Sequence, residues 1–244
     1  DSATVGGTLG MFIGSNGWMA VGAGNSNQWV PTPALFLANP DLGVYSWTDL
    51  QPNAVGSGGV YYSESGTVAT VTYDGVYGWG TTDLNTFSIE YDTATGDFAM
   101  EWAAVGATNP QDTLIGFSLG GPLPDPGVTD ISAAAPFVIN LGGVTAMVAS
   151  NGTGCGSALG YGSFYEQSPA GTQDLTGMLV TGTWSAGQCV VITQPGAGIT
   201  VPVGATPLTG IGDDVEFDLS TVGGTLGLYA GSNGWLTNAP GNSN

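Results

Sequence analysis

The chain has 244 residues, 42% of them apolar, enough to bury a real core, yet its 19 Asp and Glu face no Lys, no Arg and no His. That inventory excludes salt bridges, cation–π contacts, Arg clamps, imidazole metal ligands and every triad or Schiff base that needs a basic side chain. It also removes the side chains that dominate nucleic-acid binding, and leaves a net charge of −19 to be relieved by solvent, salt, metal cations or protonation.

With 43 Gly and 14 Pro as punctuation and no helical apolar period sustained over three turns, the class is all-β. Runs rich in Val, Thr, Tyr, Phe and Trp predict strands near 8–13, 18–21, 44–47, 59–63, 68–73, 86–91, 98–103 and 114–119. They resume near 137–140, 145–149, 178–184, 189–193 and 215–219, and a short helical turn is expected at 33–37. The clearest hairpin is FSIEYDTATGDFAMEW. Pairing Asp92 with Asp97 leaves the loop 93–96, with Gly96 free to take a positive φ, and sets Tyr91 opposite Phe98 and Ile89 opposite Met100. Glu90 then faces Ala99 and Glu101 faces Ser88, so no two carboxylates oppose each other.

The Pro- and Gly-rich stretch 120–130 reads as a joint between a first β-sandwich module, 1–131, and a second β module, 132–207. Both cysteines, Cys155 and Cys189, fall in the second. An even count in a chain that reads as extracellular favours a disulfide, which in the chain-entropy model contributes about 3–4 kcal/mol; two buried free thiols are the alternative. No apolar run approaches the roughly 18 residues of a membrane helix, and residue 1 opens no signal peptide, so any secretion signal or anchor is expected outside this segment.

The chain also contains one stretch twice. Residues 1–27 and 218–244 align without a gap at an offset of 217, with 17 of 27 positions identical, including the block GSNGW. A fixed long period marks tandem arrays. The chain therefore reads as antiparallel β-sandwich modules in a tandem repeat of period 217, with 208–244 opening the next repeat and the first strand of 1–131 supplied by the preceding one. Asp218, Val222 and Trp235 mark the repeat junction. A symmetric domain whose first and last strands match is the alternative. The Asn-Gly of GSNGW predicts a tight turn that delivers Trp18 into the core.

Within the first module the order SWTDLQP, GGVYY, VTYDGVYGWGTTDLNTFSIEYD, a Gly-Asp turn and LIGFSLGG resembles the nidogen-like extracellular domain. Trp47 and Asp49, residues 71–76, 85–87 and 116–120 stand at that family's motif positions, while Tyr73 and Ser88 replace its usual Trp and Gln. The resemblance covers about residues 5–131. With DPGVTDIS, GTGCG, SFYEQ and the strand after Asp213 and Asp214, the chain also resembles repeat units of giant secreted proteins of planctomycete-type bacteria. The resemblance implies an extracellular, matrix-like or adhesive role at the cell surface and carries no catalytic residues.

Only carboxylate chemistry remains to the chain. Glu90 and Glu101 have the residue types of a glycosidase pair, against which stands the simpler reading of two solvated residues on a hairpin. Calcium suits hard carboxylate oxygens, with Asp125 and Asp130, or Asp213 and Asp214, as candidate ligands, although no EF-hand or RTX spacing occurs. Trp29, Tyr45, Trp47, Tyr61, Tyr62, Tyr77 and Trp79 are candidates for a carbohydrate surface or subunit contact, or for core packing. Asn151 stands in a glycosylation sequon. The expected function is non-enzymatic: a structural subunit of a secreted fibre or stalk whose partners are copies of itself, joined head to tail. The alternative is a calcium-dependent adhesion or glycan-binding module.

Overall fold

In a computed structural model the chain is described at 6–21, 29–134, 137–140, 146–149, 155–159, 162–185, 188–209, 217–218, 229–230 and 236–237. At 134, 137–159, 185, 188 and beyond 209 that description covers the backbone only. Two antiparallel sheets dominate. One has five strands in the order β1 (Met11–Gly14), β2 (Trp18–Val21), β3 (Leu42–Trp47), β8 (Thr113–Ser118), β12 (Ser163–Ser168). The other runs β11 (Cys155–Leu159), β10 (Ala146–Ala149), β9 (Phe137–Asn140), β14 (Gln188–Pro195), β13 (Met178–Ser185), β7 (Phe98–Ala104), β6 (Leu84–Asp92), β5 (Val68–Tyr77), β4 (Gly59–Ser65), β15 (Thr206–Pro207). A separate three-stranded sheet holds β16 (Phe217–Asp218), β17 (Tyr229–Ala230) and β18 (Leu236–Thr237). The helices are α1 (Pro33–Ala38) and α2 (Ile131–Ala134).

Period-2 alternation on β5, β6 and β7 builds the inner face of the large sheet. Val71, Tyr73, Phe87, Ile89, Met100 and Trp102 are buried there against Met11, Met19, Val44, Ile115 and Phe117 of the five-stranded sheet, the arrangement of a β-sandwich. Phe98 stacks on Phe117 across the interface with ring centroids 4.7 Å apart. Two hydrogen bonds cross the same core: Trp102 Nε1 donates to Ser46 Oγ at 2.9 Å, and the Tyr73 hydroxyl donates to the Gly14 carbonyl. Each satisfies a polar group that would otherwise cost about 1–3 kcal/mol to bury.

The five-stranded sheet is covered on its other face too. Trp18, Tyr45, Trp47, Leu114 and Tyr165 form a second core with Phe36 and Leu37 of α1. Phe36 meets Tyr45 edge-on at 5.0 Å. The helix is short but well started: Pro33 sits in its first turn, Thr32 Oγ1 accepts the Leu35 N–H at 3.3 Å and the Thr32 carbonyl accepts that of Phe36. With both faces covered, β8 is buried at every residue.

The 87–102 hairpin has the expected register, with Asp92 N–H bonded to the Asp97 carbonyl at 2.8 Å and Gly96 at φ +80°. The helical turn at 33–37 is also present. The joint at 120–130, in contrast, does not separate two modules. Gly121 and Leu123 donate their N–H groups to the carbonyls of Asn39 and Leu37, and Thr129 donates to that of Tyr165, so the stretch is pinned onto the sandwich. Strands from both sides of residue 131 are joined in each sheet: β12 pairs with β8 and β13 with β7. The described strands of 132–207 therefore extend the two sheets of the first sandwich, where a second module was expected. β5 runs past its expected end at 73 to Tyr77, through a bulge where Gly75 adopts φ +67°.

Candidate functional site

Without a basic residue, any site must be built from carboxylates, hydroxyls, amides and aromatic rings. Glu90 and Glu101 stand diagonally on the outer face of the β6–β7 pair, Glu90 opposite Ala99 and Glu101 opposite Ser88. Glu101 Oε1 accepts the Gly198 N–H at 2.7 Å and so holds the loop after β14. Glu90 is exposed.

The candidate calcium ligands are engaged separately. Asp125 Oδ1 accepts from the Gly127 N–H and the Tyr165 hydroxyl, each at 2.8 Å; burial and the Asp125 carboxylate push the Tyr165 hydroxyl up to about 12. Asp130 Oδ1 caps the start of α2, accepting from the Ala133 N–H at 2.9 Å and from Ser132 Oγ at 2.8 Å. Ser132 Oγ also lies 3.1 Å from Asp174 Oδ2. Beneath them Glu166, 7% exposed, accepts the Ile131 N–H at 2.7 Å. Burial, opposed by that hydrogen bond and reinforced by the charges of Asp174 and Asp130, raises the Glu166 carboxyl above its ordinary range. Among the described residues no three acidic or thiol groups stand close enough to hold a metal ion. Asp213 and Asp214 lie outside the described residues.

A further carboxylate acts as a clamp that no motif announces. Glu64 accepts from the Thr8 and Leu9 N–H groups at 2.8 and 3.0 Å, from Thr8 Oγ1 at 2.8 Å and from the Tyr62 hydroxyl at 2.6 Å. Burial works to raise its carboxyl, but these hydrogen bonds outweigh it and hold the group below the usual range. The segment leading into β1 is thereby tied to the rim of the opposite sheet.

The aromatic candidates divide. Tyr45, Trp47 and Tyr62 are buried, Tyr61 and Tyr77 half-buried, and Trp29 and Trp79 are 50% and 42% exposed. A shallow groove of about 540 Å³ lies between α1 and the pinned stretch, lined by Pro33, Leu37, Pro122, Leu123 and Asp125. The cysteines are not brought together. Cys189 on β14 is a free, buried thiol, while Cys155 lies on β11, with β10 and β9 between the two strands. The side chain of Cys155 is outside the described residues, as is Asn151.

At the repeated motif, residues 15–17 make the expected turn and Trp18 is buried at 5% exposure. Asn16 organises the corner: its carbonyl accepts the Thr48 N–H at 3.1 Å, its side-chain oxygen accepts the Leu50 N–H at 3.0 Å, and the Gly17 carbonyl accepts the Ser46 N–H at 2.8 Å. β1 and β2 pair Phe12 with Ala20 and Ile13 with Met19. β17 and β18 pair Tyr229 with Thr237 and Ala230 with Leu236, the same two pairings displaced by 217. The two hairpins belong to different sheets. The junction residue Asp218 pairs with Tyr229; Val222 and Trp235 lie outside the described residues.

These elements define an all-β protein, an antiparallel sandwich with an aromatic second core on one sheet. No helix among the described residues is long and apolar enough to cross a membrane. Comparison with known protein families, curated proteins and solved structures finds no match.

Proposed function

We propose that this chain is a structural unit of a secreted extracellular fibre or stalk built from head-to-tail repeats. The observation that carries the reading is the second copy of the opening motif, which keeps the hairpin register of the first in a sheet of its own. A motif that merely closed a symmetric domain would be expected to share a sheet or a core with its twin. Contacts between different faces of identical units generate filaments where the rotation between units does not close into a ring. The surface fits that role: a chain with no Lys or Arg offers no bond to a trypsin-like protease. The nidogen-like resemblance of residues 5–131 supports an extracellular location.

Electron microscopy of the native material tests the proposal. Filaments with a regular axial repeat are expected, and uniformly dispersed single units at high concentration would overturn it.

A further inference from the structure

The groove between α1 and the stretch 120–130 has apolar walls that are already held in place. Pro33, Ala34 and Leu37 line it from the helix, and Pro122 and Leu123 from the strap. Phe36 and Leu37 root the helix in the aromatic core, while the Gly121 and Leu123 N–H groups hold the strap to the carbonyls of Asn39 and Leu37. An occupant therefore has no wall to order as it enters, which removes one of the usual costs of binding. The volume of about 540 Å³ lies within the range of small-ligand sites.

The one charged residue lining this groove is Asp125. Its Oδ1 is engaged twice, by the Gly127 N–H and the Tyr165 hydroxyl, each at 2.8 Å, which fixes the direction of the carboxylate. Its Oδ2 has no hydrogen bond among the described residues and is left to accept. The sequence has no Lys, Arg or His, so neither this segment nor a second copy of it can bring a cation to that oxygen. An occupant that uses both the walls and the carboxylate has an apolar stem and a positive head. Lys has that form, an alkyl stem that lies on apolar surface and a compact ammonium at its end. Arg fits less well, because its planar fork favours two carboxylate oxygens and one is already engaged here.

We propose that this groove binds a Lys side chain of a partner protein, with the stem between α1 and the strap and the ammonium on Asp125 Oδ2. The inference goes beyond the fibre reading and does not depend on it. Contacts between copies of this sequence cannot fill the groove in this way, so it joins the chain to a different molecule.

The test titrates the isotope-labelled full chain at low salt with the blocked peptide acetyl-Ala-Lys-Ala-amide and follows the amide NMR shifts. Saturable shifts at Leu37, Leu123 and Gly127 are expected, and the norleucine peptide, which keeps the stem and loses the charge, should bind about three- to tenfold more weakly. Asp125→Asn should weaken the Lys peptide to the same degree, whereas Asp74→Asn, which removes an exposed carboxylate on β5, should leave it unchanged. Ala34→Trp fills the groove from an exposed helix position with Asp125 intact and should remove the shifts; the amide spectrum of each variant reports that it is folded. Four outcomes overturn the proposal: no saturable shift at the groove; equal weakening by Asp74→Asn and Asp125→Asn, which would show diffuse attraction to the net charge of −19; a norleucine or arginine peptide bound as tightly as the Lys peptide; or unchanged binding by the Ala34→Trp chain. The fibre reading is judged separately by microscopy, since neither the peptide nor its readout requires filaments.

Discussion

Gly17→Ala probes the corner on which the repeated motif is built. Gly17 adopts φ +88°, and a Cβ there would lie 2.2 Å from the Ser46 carbonyl oxygen and 3.1 Å from Phe87 Cζ. Backbone conformation alone costs an alanine about 1–2 kcal/mol at positive φ. Relieving the overlap moves β3 away from the turn and weakens the bonds from Ser46 N–H to Gly17 and from Thr48 N–H to Asn16, each contributing about 1 kcal/mol net. The expected loss is therefore about 3–4 kcal/mol. Gly66→Ala is the control, because Gly66 has φ +63° but nothing within 4 Å of its added Cβ, so only the backbone cost of about 1–2 kcal/mol applies. Equilibrium urea unfolding measures both, with equal slopes confirming a change in native stability rather than in compactness. Equal losses for the two variants would refute the argument that the turn is wedged against β3.

Asn85→Ala removes the partner of the Gly106 N–H, the Val76 carbonyl and the Asn109 amide; urea unfolding should show a loss of about 2–4 kcal/mol, and a loss under 1 would mean these groups find water. Glu166→Gln and Glu64→Gln should shift stability with opposite pH dependence. Because folding raises the Glu166 carboxyl, its contribution is full below the unfolded value near pH 4.5 and is lost as pH rises through the folded one, so the Gln variant gains on the parent from pH 4 to 7. Glu64 is lowered, so its contribution is present above pH 4.5 and lost as pH falls through its folded value; its variant should lose ground over the same rise, and parallel melting curves for both would contradict the assignment. Cys189, whose thiol burial and then the Asp97 charge push up to about 12, should resist iodoacetamide at pH 8 until urea is added, as read by peptide mass mapping; rapid native alkylation would show the strand to be open. A rise in melting temperature on adding calcium, reversed by chelator, would favour the adhesion reading over the fibre.

Much of the sandwich is legible in the sequence wherever one face of a strand meets a core and the other meets water. Phe87, Ile89 and Tyr91 alternate with Ser88 and Glu90 for that reason, and their pairing follows from the loop length. Legibility fails where a strand is covered on both sides. Phe164 and Tyr165 on β12 are adjacent apolar residues that enter different cores, so their strand carries no alternation, and its pairing with β8 joins chain segments far apart in sequence. The Pro and Gly of 120–130 suggested a linker, but the same residues suit a chain that turns closely over a helix: Gly120 and Gly121 lie so near the carbonyls of Pro40 and Leu37 that a Cβ would come within 2.4 and 2.1 Å. The roles of Glu64 and Glu166 were also hidden, because a carboxylate on a strand gives no sign of which distant backbone amides it will meet.

The interleaving of the two halves of the chain has a mechanical consequence. A rod of independent modules strung on linkers yields at its weakest linker, one hinge at a time. Here β12 is laid beside β8 over six residue pairs and β13 beside β7 over four, with residues 120–130 strapped across the outside. Pulling residues 132–207 away from those before them means shearing both ladders together. Tension along such a unit is carried by backbone hydrogen bonds in parallel, so the unit should hold its length under load and then fail abruptly.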